Sequence, residues 1–202
     1  LKKIEKNEID ILVGTQLISK GFNFPKLNCI VVVDADFSGM GYDLRTTEKN
    51  IQLYNQLSGR AGRFANKSTI IYQTATPLNE TLKDVLENNP EKFLNNELII
   101  RKNKNLPPFS RLISLIVSAN SSQDSFRAAQ EIKKKLSVLN HLEVLGPVDS
   151  PIFKINKKYR TRLLLRSKNT NLIQKSVGKI LENLNISKKI KLTVDVDPIN
   201  FA

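Results

Sequence analysis

Apolar residues in the first half of the chain fall in short runs bounded by glycine or polar residues. "IDILVG" (9–14), "CIVVVDAD" (29–36) and "STIIYQTA" (68–75) are three of them. Their length and β-branched content predict strands buried on both faces, as in a parallel sheet. Between the second and third runs, "QLYNQLSGRAGRF" (52–64) places Leu53, Tyr54 and Leu57 at helical spacing. A shorter helical turn, "TQLISKG", follows the first run. Strands alternating with helices predict an α/β layer. "TLKDVLENNPEKFLNNELIIRKNK" then predicts one or two helices, broken at Pro90.

"NLPPFS" (105–110) marks a boundary, because two prolines impose extended backbone after a helix. Beyond it the pattern changes. "RLISLIVSA", "LEVLGPV", "KYRTRLLLRS" and "IKLTVDVDP" read as strands. "SSQDSFRAAQEIKKKLSVL", with Ser and Asp as capping candidates, and "TNLIQKSVGKILENL" read as helices. The order β-α-β-β-α-β is that of a ferredoxin-like split βαβ domain. The expectation is therefore two units, an α/β part over 1–104 and an α+β part over 105–202.

Charge sharpens this division. Residues 1–104 hold 15 Lys/Arg against 12 Asp/Glu, a balance of +3, and residues 105–202 hold 17 against 7, or +10, giving the +13 of the whole. A basic excess in one unit is an electrostatic footprint that nucleic acid fits best. A generally Lys-rich surface is the plainer alternative. No run of 18 apolar residues occurs, so no membrane span is expected. The opening "LKKIEKNEID" lacks a secretory h-region and reads as the end of a helix already under way, as in a piece of a longer protein. The one cysteine, Cys29, excludes an internal disulfide and a cysteine-built zinc site. Lying in an apolar run, it is expected to be a buried, inert thiol, compatible with a cytoplasmic setting.

Three places could carry chemistry. Gly14, Thr15 and Gln16 follow the first predicted strand, with Lys20 and Gly21 closing the next turn. A strand that enters a helix through Gly-Thr aims free N–H groups and a hydroxyl at one point, as anion sites do, although many such turns are purely structural. On the predicted helix Gln56 and Arg60 are i, i+4 neighbours, and Arg60 and Arg63 are i, i+3. Gly59 and Gly62 weaken a helix by about 1 kcal/mol each, yet permit close approach of another backbone or a ligand. Guanidinium forks converging there suit a polyphosphate. The third place is "KINKKYRTRLLLRSK" (154–168), with seven Lys/Arg and no acid. Strand alternation puts Lys158, Arg160, Arg162 and Arg166 on one face with Leu164, and Tyr159, Leu163 and Leu165 on the other, the expected core side. Four cations on one face favour a phosphate backbone over an empty solvated surface.

Q-x-x-G-R-x-G-R at 56–63 resembles motif VI of superfamily 2 helicases, and "ILVGTQLISKGFNFP" resembles their motif V. "GTQLISKGFNFPKLNCIVVVDAD", "YDLRTTEKNIQLYNQLSGRAGR", "LPPF", "LGPV" and the terminal "DVDP" follow in the order of the primosomal replication-restart helicases, over essentially the whole chain. The resemblance implies a 3′–5′ DNA helicase of superfamily 2 that recognises stalled or branched forks and starts primosome assembly. It implies a partial RecA-like second lobe over 1–104 and a C-terminal DNA- and partner-binding domain over 105–202. Arg60 and Arg63 would contact ATP phosphates, with Gln56 and Gly59 in support. Gly14, Thr15, Gln16, Lys20 and Gly21 would couple nucleotide to DNA, and Lys158, Arg160, Arg162 and Arg166 would meet DNA. Implied partners are fork DNA, the single-stranded-DNA-binding protein and primosome proteins, in a cytoplasmic, nucleoid-associated setting. ATP and Mg²⁺ are the implied cofactors, and zinc belongs only to a segment upstream of this sequence.

The sequence holds no G-x-x-x-x-G-K-[ST] loop, so the main phosphate cradle of such an enzyme is not among these residues. The 202 residues alone are expected neither to hydrolyse ATP nor to unwind DNA. A non-enzymatic basic nucleic-acid-binding module is the alternative. An RNA helicase is disfavoured by "LPPF" and "DVDP", which lie outside the shared motor.

Overall fold

A computed structural model of the chain describes residues 2–6, 8–15, 27–36, 44–61, 69–77, 80–87, 89–168 and 172–199. They form a mixed α/β fold in two compact units, Leu1–Leu94 and Asn95–Ala202.

The first unit opens with a single helical turn, α1 (Lys2–Glu5). Strand β1 (Cys29–Val32) pairs in parallel with β2 (Thr69–Tyr72), Cys29 opposite Thr69 and Val32 opposite Tyr72. Helix α2 (Thr46–Ala61) lies between them in sequence, and α3 (Glu80–Leu86) follows. The parallel pair with its intervening helix is the expected α/β pattern. Three expectations are corrected. Residues 9–14 form no strand: they have no regular structure, and Ile11 and Val13 are exposed. Apolar β-branched content gives propensity, but a strand exists only where a ladder pairs it, and none of the described strands does so. Nor are β1 and β2 covered on both faces among the described residues. Ile30, Val32, Ile70 and Tyr72 are half-buried, whereas Val31 and Ile71 point outward. Cys29 starts β1 on that outward face and is exposed rather than buried. The short helix expected after residue 15 lies outside the described residues.

Helix α4 (Pro90–Asn103) starts at the proline expected to break the helical stretch, which costs nothing at the first helical position. In the first unit Lys92 ties its start to α3, meeting the buried Asp84 at 3.2 Å and Glu87 at 2.8 Å.

The second unit has the expected order: β3 (Arg111–Ala119), α5 (Ser122–Leu136), β4 (Glu143–Ile155), β5 (Lys158–Ser167), α6 (Ile173–Glu182) and β6 (Lys191–Val196). The strands form one antiparallel sheet, β4-β5-β3-β6. β5 thus sits between the strands that the first crossover joins, as a split βαβ requires. Ser121 caps α5, accepting from the Asp124 amide at 3.1 Å. Ile113, Leu115 and Val117 of β3 and Leu163 and Leu165 of β5 meet Ala128, Ala129, Ile132 and Leu136 of α5 and Ile173 and Val177 of α6 in one core. Inside it Ser125 and Thr161 satisfy each other at 2.9 Å, so neither buried hydroxyl is orphaned.

Candidate nucleotide and nucleic-acid sites

Helix α2 is held by the face predicted from its spacing. Ile51 and Tyr54 are buried, with Leu53 and Leu57 partly so. The Tyr54 ring meets Tyr72 of β2 edge-on at 5.1 Å, and its hydroxyl donates to the Ala35 carbonyl at 3.2 Å. Burial pushes the Tyr54 phenol above its ordinary value, with the Tyr72, Asp34 and Asp36 charges adding to it. With Tyr54 inward, Gln56 is exposed. Arg60 stands one turn further on, in the last turn of the same continuous helix, and Gly59 precedes it within the helix. The helix therefore continues through the first glycine. Arg63 lies outside the described residues, as do Gln16, Lys20 and Gly21, while Gly14 and Thr15 are exposed without regular structure.

A group that sequence reasoning missed lies beside this helix. Asp36, four residues beyond the end of β1, accepts from the Thr74 hydroxyl, the Thr76 hydroxyl (2.6 Å), the Thr76 amide (3.2 Å) and the Ala75 amide (2.5 Å). These donors, the Thr74 hydroxyl foremost, hold its carboxyl at about 2, against an ordinary 3.8. Two aspartates at the exit of an apolar run were the available signal, but their partners lie some forty positions away.

On β5 the two faces separate as expected. Lys158, Arg160, Arg162 and Arg166 share one face with Leu164, and Thr161, Leu163 and Leu165 point to the helix-covered core. Tyr159 shares the core-side register but is only half-buried, near Phe153 and under the Lys154 ammonium. The four cations are not equivalent. Arg166 is clamped by Glu143 across the sheet at 2.6 Å and donates to the Lys104 carbonyl at 2.9 Å. Its cross-strand neighbour Leu112 is only 1% exposed, so this end of the face is closed over. Arg162 lies between Ile116 and Val148, and burial lowers its pKa. Arg160 donates to the Ile152 carbonyl at 3.3 Å, and Lys158 faces Ile155. Exposed Lys191 on β6 lies in register with Ser118, which pairs with Arg160, and adds a further cation to the sheet.

Two of the diagnostic motifs are structural joints in this sheet. Gly146 of "LGPV" has φ +94°, and an added Cβ would stand 2.8 Å from the Arg162 carbonyl oxygen. Asp197 of "DVDP" receives the Arg111 guanidinium, closing the end of β6 onto the start of β3. Among the described residues no group of three His, Cys, Asp or Glu could hold a metal ion, and no helix is long and apolar enough to cross a membrane.

Residues 102–199 match the family model for the primosomal protein N C-terminal domain, and residues 1–65 match that for the helicase conserved C-terminal domain. The chain aligns from end to end with replication restart protein PriA of Rickettsia conorii, 36% identical over 100% of this chain and 31% of that protein. The PriA of Borreliella burgdorferi is 36% identical over 99% of this chain, and that of Treponema pallidum 30% over 99%, each again at 31% of the relative. The chain belongs to the PriA family of replication restart proteins. It spans under a third of the length of these relatives and corresponds to a C-terminal portion of them. The helicase match ends at residue 65, just past the arginines of the GRAGR element, and supports a RecA-like lobe for the first unit. The primosomal match encloses the four-stranded sheet with its cationic face.

Proposed function

We propose that the chain serves an ATP-dependent 3′–5′ DNA helicase of superfamily 2 that recognises stalled or branched replication forks and starts primosome assembly. Residues 1–104 act as part of the second helicase lobe, and 105–202 as the DNA- and partner-binding domain. The observation that carries this is the position of Arg60 in the last turn of α2, on a helix locked to β1 and β2 through Tyr54, inside the segment matching a helicase domain. In this reading Arg60 and Arg63, with Gln56 in support, contact nucleotide phosphates; bound ATP with Mg²⁺ supplies the transferable phosphoryl group. Gly14, Thr15, Gln16, Lys20 and Gly21 couple that site to DNA, and Gly59 allows close approach. The cysteine-ligated zinc that the resemblance implies has no place on these residues, since one cysteine cannot build such a site. Partners beyond DNA are the single-stranded-DNA-binding protein and primosome proteins, in a cytoplasmic, nucleoid-associated setting.

The test is Arg63→Ala or Arg60→Ala in an enzyme of the relatives' full length. DNA-stimulated ATP turnover is expected to fall by about 10³-fold, the lower range for an arginine that stabilises transferring phosphoryl charge. DNA affinity should hardly change. Equal losses of turnover and affinity would overturn the role.

The cationic β5 face favours a second reading for the 105–202 unit, a nucleic-acid-binding module that needs no nucleotide. Losing Lys158 or Arg160 should lower the salt dependence of fork-DNA binding by about 0.9 in log–log slope each. Arg166, already committed to Glu143, should matter less.

A further inference from the structure

We infer that Asp36 is a positioning residue whose carboxylate ties the exit of β1 to the Thr74–Thr76 segment beyond β2, and so fixes the platform that aims α2. This rests on the reading of α2 as the helix whose arginines meet a nucleotide. One carboxylate gathers four donors there, Oδ1 taking both threonine hydroxyls and the Thr76 amide while Oδ2 takes the Ala75 amide. The preceding residue joins the same junction. The Ala35 amide donates to the Gln73 carbonyl at 2.7 Å, and the Ala35 carbonyl receives the Tyr54 hydroxyl of α2 at 3.2 Å. Residues 35 and 36 therefore bind the exits of both parallel strands and the buried side of α2 within one peptide unit. Carboxyl ends of parallel strands are where such sheets place ligand sites, so this junction stands on the side where nucleotide-facing residues are needed.

The arrangement calls for an acceptor at both oxygens. An asparagine has one acceptor oxygen, and its NH₂ would confront either the Ala75 amide or the Thr76 donors. The depressed carboxyl value agrees with donors that favour the charged form. Asp36 is only half-buried and its partners reach the surface, so the tie adds little to overall stability. Its consequence is geometric, and a displacement of about 1 Å at a reacting group can cost about 100-fold in rate.

The experiment compares Asp36→Asn, the pair Thr74→Val with Thr76→Val, and Asp36→Glu. Hydrogen exchange across α2 is read in the 202-residue chain, and DNA-stimulated ATP turnover in the full-length enzyme. Asp36→Asn and the threonine pair should each speed α2 exchange by about tenfold, the order of one lost charge-assisted hydrogen bond. Exchange in the four-stranded sheet should stay unchanged. Turnover should fall by about 10- to 100-fold, with KM for ATP and DNA affinity within about twofold of the parent, and Asp36→Glu should recover part of both effects. Unchanged α2 exchange would overturn the tie, whether or not turnover falls. Faster exchange with full turnover would uphold the tie and overturn the nucleotide role of α2, so the two failures are distinct.

Discussion

In the second unit, strands β3 and β5 send Ile113, Leu115, Val117, Leu163 and Leu165 into a core closed by two helices, each of these side chains 1% exposed or less. In the first, β1 and β2 bury one side of a parallel pair against α2, and Val31 and Ile71 on the other side remain 55% and 50% exposed. Both units are built from apolar strands of similar composition. One unit is a core that could be perturbed by a methyl group; the other is a platform whose geometry is held by polar ties, Tyr54 to Ala35 and Asp36 to the threonines. The first unit adds these directed hydrogen bonds to the packing of Tyr54 and Leu82, so the two should respond to different substitutions.

The largest contrast should come from Leu163→Ala. The side chain is fully buried between β3, α5 and α6, so truncation removes transfer energy and leaves a cavity, a loss of about 2–5 kcal/mol. Denaturant unfolding followed by amide signals of β3 and β5 should show it as a lower midpoint, while signals from α2 stay in place. A comparable shift in both units would break the comparison, because it would mean that one core stabilises the whole chain.

Gly146→Ala should come next. Its backbone at φ +94° strains any L side chain, worth about 1–3 kcal/mol. The neighbour at 2.8 Å is the Arg162 backbone oxygen, which cannot rotate away as a side chain would. The β4 path should shift where its register on β5 already slips, between Leu145 and Val148. A drop in fork-DNA affinity alongside the stability loss would sharpen the picture further, since the residue whose carbonyl is struck is one of the cations on the β5 face. A neutral outcome would show that the edge of the sheet yields, and that "LGPV" has a role other than fitting this bend.

These two positions show what could be read before the structure was known. The β-α-β-β-α-β order, the start of α4 at Pro90 and the separation of the cations from Leu163 and Leu165 on β5 were legible, because strand and helix periodicity report burial directly. The helix that runs from Gln56 through Arg60 was legible from the spacing of Leu53, Tyr54 and Leu57. Residues 9–14 misled, since an apolar run states a preference while the ladder depends on a neighbour elsewhere. Cys29 misled likewise: its run is apolar, but nothing among the described residues covers its face. The Asp36 junction was not legible, because no local pattern announces which threonines will meet a carboxylate nearly forty residues earlier. Gly146 and Asp197 were visible as motif letters, and only the bend over Arg162 and the clamp on Arg111 explain why those letters are needed.

The smallest effect, and the one that best separates stability from positioning, should be the acid response of Asp36. Its carboxyl is lowered in the folded chain to about 2 from 3.8, so the folded state holds the proton less tightly than the unfolded state does. The stabilisation from its charged form is thus complete at pH above about 4, is eroded as the unfolded chain begins to take up the proton, and is gone once pH has fallen through 2. Asp36→Asn should remove that slope from the acid unfolding curve of the first unit between pH 4 and 2 and leave the curve of the second unit as it was. Solvent around the half-buried carboxylate keeps the change small. If acid loosens α2 in the parent chain and not in the variant, the carboxylate is the group that holds the platform. If both respond alike, the threonines and Tyr54 suffice without the charge, and the first unit depends on packing after all.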